Sequence, residues 1–140
     1  MCGIIGCVSE KDCYGALYDG LKRLEYRGYD SAGIAVLDRE LRIFKKKGGV
    51  SNLSAFYARG GTGIGHTRWA THGAPSDANA HPHSAGKIAL VHNGIVENFA
   101  ALRAELEGEG ERFFSDTDSE IIAKLVSRAY RGDLLAAVQT

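Results

Sequence analysis

The chain opens Met1-Cys2-Gly3-Ile4-Ile5-Gly6-Cys7-Val8, and residues 3–8 form an apolar run without polar alternation. Such a run predicts a strand covered on both faces. Cys2 therefore stands at the head of a rigid, buried element. Removal of Met1 would place a thiol and a free α-amine on that one residue. An α-amine titrates at about 7.7–8.0 and a thiol at about 8.5, so near neutral pH the amine can take the proton that the thiol must lose. The strand puts Cys7 on the face opposite Cys2, so these two sulfurs do not meet within it.

Outward from this strand, Ser9-Glu10-Lys11-Asp12 resembles a helix start, and Tyr14, Leu17, Tyr18, Leu21 and Leu24 recur at helical spacing. That helix should end near Glu25, before Gly28. A loop over 26–31 returns to a buried strand at 32–37, and a tight turn at 38–40 leads to a second strand at 41–46, making a hairpin. Residues 50–57 read as a short helix and the Gly-rich 59–63 as the approach to a strand at 64–69. A long loop with Gly73, Pro75, Asp77, Asn79 and Pro82 precedes a strand at 87–92, with Asn93-Gly94 directly at its exit. Asn98 can cap a helix carrying Phe99, Leu102 and Leu106, and Phe113-Phe114 reads as a brief strand. Thr117-Asp118-Ser119-Glu120 fits a capping box opening a helix that buries Ile121, Ile122, Leu125, Val126 and Ala129. Gly132 stops that helix and Asp133 can cap another.

The 140 residues are 44% hydrophobic, with 17 basic against 17 acidic groups, which describes one soluble domain with a core of its own. A zero net charge provides no field to recruit nucleic acid or an anionic membrane, and Lys45-Lys46-Lys47 reads as a solvated strand end. No stretch reaches the roughly 18–20 apolar residues of a membrane span, and the apolar start has no basic region before it, so the expected compartment is the cytoplasm. Cys2, Cys7 and Cys13 are an odd, crowded set, and reduced thiols are expected. Neither C-x-x-C nor H-E-x-x-H supports a zinc site. Leu134, Leu135, Ala136, Ala137 and Val138 run almost to the last residue with no polar tail, which reads as a domain cut off early or completed by another chain.

A nucleophile attacking a carbonyl needs donors where negative charge develops, and Asn93 with Gly94 can supply a side-chain amide and a backbone N–H. The plainer reading of Asn-Gly is a turn. Arg68 has the planar fork to clamp a carboxylate, and Asp118 can receive an ammonium group, so together they would read both charged ends of a free α-amino acid. Each also has a plainer role, as an ion-pair partner and as a helix start. His66, His72, His81, His83 and His92 suit general-base or metal chemistry. With the Cys2 amine as base no imidazole is needed for the first proton transfer, and their expected work is to hold the site through ring hydrogen bonds.

These motifs resemble the glutaminase domains of the glutamine–fructose-6-phosphate aminotransferases, class II glutamine amidotransferases of the N-terminal-nucleophile (Ntn) hydrolase type. The resemblance rests on Met1-Cys2-Gly3-Ile4-Ile5-Gly6, Leu24-Glu25-Tyr26-Arg27-Gly28-Tyr29-Asp30-Ser31-Ala32-Gly33 and Gly65-His66-Thr67-Arg68-Trp69-Ala70-Thr71-His72-Gly73. Asn79-Ala80-His81-Pro82-His83, His92-Asn93-Gly94 and Asp116-Thr117-Asp118-Ser119-Glu120 join them. It implies an α+β fold, a four-layer αββα sandwich incomplete at its C-terminal side. It also implies Cys2 as nucleophile, Asn93 and Gly94 as oxyanion hole, Arg68 and Asp118 as binders of the glutamine α-carboxylate and α-amine, and Trp69, Thr71 and His72 as pocket residues. Arg27 falls in the loop beside the nucleophile.

The implied reaction releases glutamate and ammonia from L-glutamine through a thioester, with no metal or organic cofactor. Residues 1–140 would be a partial amidotransferase domain. The implied partner is a sugar-isomerising domain, absent here, or a complementary chain, with association into a homo-oligomer, and neither nucleic acid nor membrane. The alternative is an inactive fragment or assembly module that retains the glutamine-site motifs.

Overall fold

The N-terminal apolar run forms β1 (Gly3–Val8), which pairs antiparallel with β4 (Thr62–Arg68) in the register Gly3 to Thr67. The structure, a computed structural model, describes residues 1–71 and 73–140. The other flank of β4 pairs with β2 (Ser31–Leu37), and β2 forms the expected hairpin with β3 (Leu41–Lys47). The sheet order is β1-β4-β2-β3, antiparallel throughout. β4 and β2 are central, which is why β2 is buried from Ser31 to Val36.

One face of this sheet carries α1 (Tyr14–Leu24), whose buried Tyr14, Leu17 and Leu21 are the stripe expected from its spacing. They pack with Ala32, Ile34, Val36, Val50, Leu53 and Ala58 in a single apolar cluster. Complete burial of one such aliphatic side chain contributes about 1.5–3 kcal/mol, so this cluster is the main anchor of the sheet. The Tyr14 hydroxyl donates to the Leu53 carbonyl at 2.9 Å, and burial pushes it up to about 12. Only Val50–Leu53 of the expected helix at 50–57 forms, as a single 3-10 turn.

The opposite face meets the loop that carries His81. A Cβ at Gly33 would lie 2.0 Å from the His81 carbonyl oxygen, so only glycine permits that approach. The partly buried Lys45 ammonium ties the same loop down, donating to the carbonyls of Ala80 at 2.8 Å and Ala78 at 3.2 Å. The loop leads into a two-stranded sheet of β5 (His83–Ala85) and β6 (Ile88–Leu90), with α3 (Ser119–Ala129) packed against it. The layers thus run α1, four-stranded sheet, two-stranded sheet, α3. This is the α+β arrangement expected from the motifs. α2 (Phe99–Gly108) and α4 (Leu134–Gln139) complete the chain.

Several local expectations are corrected. The strand expected at 87–92 is three residues long, so Asn93 lies in a loop beyond Leu90 rather than at a strand exit. Phe113-Phe114 forms no strand; the Phe113 ring lies beneath the Arg103 guanidinium at 4.6 Å, a cation–π contact that holds it without a ladder. The capping box does not close as written. The Glu120 carboxylate instead accepts from the Phe114 and Ser115 amides and the Ser115 hydroxyl, at 2.6–3.2 Å, because the chain before α3 doubles back over it. α3 buries Ile121 and Ala123, while Leu125 is exposed and Ile122, Val126 and Ala129 are half-buried. Cys7 and Cys13 are joined as a disulfide, against the expected reduced thiols. The turn at 9–12 folds Cys13 back until its Cα is 6.0 Å from that of Cys7, within disulfide reach. Cys2 remains free.

Candidate active site

β4 delivers one wall of the site. Held by ladders on both sides, it fixes Arg68 at its end and Trp69 just beyond, next to the start of β1. The Trp69 N–H donates to Cys2 Sγ at 3.2 Å, and the thiol lies 3.6 Å from the Trp69 carbonyl. The Trp69 ring meets Tyr29 edge-on at 5.9 Å, which ties it to the loop before β2. Asp30 closes the same corner, its carboxylate accepting the Ala70 N–H at 2.7 Å and its own N–H donating to the Arg68 carbonyl at 3.1 Å.

The opposite wall is the loop after β6. Asn93 Nδ2 donates to the Cys2 carbonyl at 3.1 Å, while Asn93 Oδ1 accepts from His66 Nε2 at 2.8 Å. His92 Nδ1 and Ser119 Oγ lie 3.0 Å apart, fixing the residue before Asn93 to the first turn of α3. A Cβ on Gly94 would come within 2.6 Å of His92 Nε2, so glycine is what lets this backbone pass the imidazole. Asp118, buried at the head of α3, accepts the Val96 N–H on Oδ2 at 2.7 Å.

Cys2, Arg68, Trp69, Thr71, Asn93, Gly94 and Asp118 all line one open pocket of about 330 Å³. Seven residues singled out from sequence thus converge from both ends of the chain. Arg68 is buried, its Nη2 donating to the Gly73 carbonyl at 3.0 Å, and burial holds its guanidinium below the ordinary value. A guanidinium stays protonated regardless. Arg27 is not on the pocket wall; its Nη2 donates to Met1 Sδ at 3.8 Å, and Met1 does line the pocket. His72, also expected there, lies outside the described residues.

Among the described residues, Met1, His81, His92, Ile95, Thr117 and Ser119 make up the rest of the lining. Thr117 and Ser119 were legible only as helix-start residues, yet their hydroxyls bond to His83 Nε2 at 2.8 Å and to His92 Nδ1. His66, His83 and His92 make ring hydrogen bonds of the kind expected of the histidines, whereas neither ring nitrogen of His81 has a hydrogen-bond partner among the described residues. His66 and His81 stack with ring centres 4.2 Å apart, and His81 meets His83 edge-on at 4.5 Å. Burial lowers all three, His66 to about 4 and His83 to about 3, so they are neutral near pH 7. Among the described residues, no group of three His, Cys, Asp or Glu side chains is placed to hold a metal ion.

The family described as "Glutamine amidotransferase domain" matches residues 36–136. The chain is 56% identical over 142 aligned residues to the glutamine–fructose-6-phosphate aminotransferase (isomerizing) of Chlorobaculum tepidum, covering 95% of this chain and 23% of that protein. It is 54% identical to the enzyme of the same name from Thermus thermophilus, covering 99% of this chain and 24% of that one. The chain thus spans about a quarter of the length of these relatives. Among solved structures it resembles the glutamine phosphoribosylpyrophosphate amidotransferase of B. subtilis, complexed with ADP and GMP. That match has a TM-score of 0.81 and 27% identity over 97% of this chain and 31% of that one. A structure titled as the allosteric regulatory enzyme of purine biosynthesis gives 0.83 and 28%, with the same coverage.

Proposed function

Because the chain belongs to the glutamine amidotransferase domain family, we propose that it cleaves the side-chain amide of L-glutamine at Cys2. The observation that carries this reading is the placement of Cys2 Sγ and the Asn93 amide in one pocket with Arg68 and Asp118. Arg68 receives the substrate α-carboxylate and Asp118 its α-ammonium, leaving the side-chain amide directed at the sulfur. Trp69 and Thr71 shape the pocket, and the Arg27 loop packs beside the nucleophile.

Once Met1 is removed, the Cys2 α-amine takes the thiol proton and the thiolate attacks the amide carbon. Asn93 Nδ2 and the Gly94 N–H carry the oxyanion, each such donor supplying about 2.7–4 kcal/mol in the transition state. The C–N bond then breaks, the α-ammonium protonates the departing nitrogen, and ammonia leaves. Water, activated by the same amine, attacks the γ-glutamyl thioester, releasing glutamate and restoring the thiol. The protein groups named here supply every proton transfer, so the scheme calls for no cofactor. In a protein as long as its relatives, the ammonia passes to a sugar-isomerising domain and aminates fructose 6-phosphate, a hexosamine-forming reaction in the cytoplasm. Residues 1–140 serve as the glutamine-hydrolysing part of that assembly, which associates as a homo-oligomer.

One observation favours a second reading. Leu134, Leu135 and Val138 on α4 are each more than half exposed, as in a module that is inert until another segment or chain covers them. A single assay separates the two. The N-terminus is first shown by mass spectrometry to begin at Cys2, then glutamate and ammonia are quantified from glutamine, with Cys2→Ala as control. Turnover lost in the control supports the enzyme; a folded chain inert at every glutamine concentration supports the module.

A further inference from the structure

We infer that His66 is a positioning residue that decides which end of the Asn93 amide faces the reacting carbonyl. The inference rests on the reading of Asn93 as an oxyanion donor. An amide presents an oxygen on one side and an NH2 on the other, and only the NH2 can stabilise an oxyanion. Asn93 lies in the loop beyond β6, so no sheet ladder fixes its side chain. His66 is fixed. It is fully buried in central β4, opposite Ile4 on one side and Gly33 on the other, and His81 stacks on its ring at 4.2 Å.

The contact between them is His66 Nε2 to Asn93 Oδ1, 2.8 Å. A neutral imidazole carries one N–H, and its position sets what the amide must present. With the proton on Nε2, His66 donates to Oδ1, and Nδ2 turns toward Cys2, where it donates to the Cys2 carbonyl at 3.1 Å. With the proton on Nδ1, Nε2 would accept; Asn93 would rotate, and its oxygen would face the developing negative charge. Among the described residues, His66 Nδ1 is buried without a hydrogen-bond partner, which suits a lone pair better than an orphaned N–H. Burial also keeps the ring uncharged near pH 7, so the choice lies between these two tautomers.

The decisive measurement needs no turnover. Long-range 15N–1H correlation of the histidine side chains in the folded chain at pH 7, with His66 identified by its loss in His66→Gln, should show the neutral Nε2–H form. A Nδ1–H or doubly protonated His66 overturns the inference. Kinetics give a second test. His66→Phe should lower kcat by about 10²–10³-fold, the effect of losing one oxyanion donor, while the KM for glutamine stays within about threefold. His66→Gln, whose amide can donate to Oδ1, should recover at least about tenfold of that loss. Affinity for the aldehyde analogue of glutamine, which adds Cys2 to form a tetrahedral adduct, should fall in step with kcat while glutamate affinity holds. Equal losses for glutamate and the aldehyde, or no recovery in His66→Gln at an unchanged melting temperature, overturn it as well. A wild-type chain without turnover would count against the glutaminase reading alone, and the tautomer spectrum would still decide the role of His66.

Discussion

The Asp118 carboxylate accepts the Val96 N–H at 2.7 Å, fastening the loop that carries Asn93 and Gly94 to the head of α3. A residue proposed to bind substrate therefore also holds the opposite wall of the pocket. Asp118→Asn keeps an oxygen for Val96 but loses the charge that would receive an ammonium. Its KM for glutamine should rise by about 10–100-fold with a melting temperature close to wild type, consistent with the 1.5–3 kcal/mol of a charged hydrogen bond. Steady-state kinetics beside a thermal melt would check this, and an unchanged KM would remove Asp118 from substrate binding.

Gly94→Ala places a methyl group 2.6 Å from His92 Nε2, and His92 cannot retreat freely because Ser119 Oγ holds its other nitrogen. The loop must shift, and with it the Gly94 N–H. We expect kcat to fall on the order of 10–100-fold, with glutamate binding within twofold of wild type. Retention of full kcat would show that this backbone amide is not needed.

Arg68→Lys keeps the charge but loses the planar fork and the geometry of the bond to the Gly73 carbonyl. The expected result is a roughly tenfold or greater rise in KM, unrelieved by higher pH. A Lys variant that binds glutamine as well as Arg68 does would assign the guanidinium a purely structural role.

Glu120 is buried, and its carboxylate gathers two amides and a hydroxyl from residues 114–115. Glu120→Ala orphans these donors and should lower stability on the order of 3 kcal/mol. Chemical denaturation measures this directly. A loss under about 1 kcal/mol would mean that water replaces the carboxylate.

His66, His81 and His83 have folded values below the unfolded value of 6.5 because burial disfavours their cations, with Arg68 adding to the effect at all three and Lys45 at His81 and His83. The unfolded chain therefore binds more protons below pH 6.5, so stability is full above that pH and falls as pH drops toward about 4. Each histidine contributes a slope of about 1.4 kcal/mol per pH unit in this window. Melting temperatures from pH 7.5 to 4.5 should decline, and His81→Phe should flatten the decline by about a third. An identical slope in that variant would mean that His81 is accessible to protons in the folded state.

Local chemistry made much of this molecule legible from its residues. Apolar content marked β2 as buried, and the 3.6-residue recurrence of Tyr14, Leu17 and Leu21 marked the face that α1 buries. The same reading failed at β1, which is an edge strand with Ile4, Gly6 and Val8 exposed, because an unbroken apolar run does not tell which strands flank it. Cys2, Arg68, Asn93 and Asp118 could be named because few side chains suit their proposed tasks. The brevity of β6 was not legible, since the apolar residues at 88–91 suit a strand whether or not a partner is present to extend it. Nor was the Cys7–Cys13 disulfide, because period-two reasoning about β1 says nothing of a turn that folds Cys13 back beside it.

The sequence by itself therefore determined most of the element types, the buried stripe of α1 and the set of groups available for chemistry, because these follow from side-chain volume, polarity and spacing along the chain. Only the tertiary structure decided that Thr117 and Ser119 brace histidines rather than cap a helix, and that an imidazole on β4 holds the amide of Asn93. Those partners lie 27 or more residues apart. Which of several equivalent donors and acceptors meet over such separations is settled by how the sheets and helices pack, not by any preference written locally in the chain.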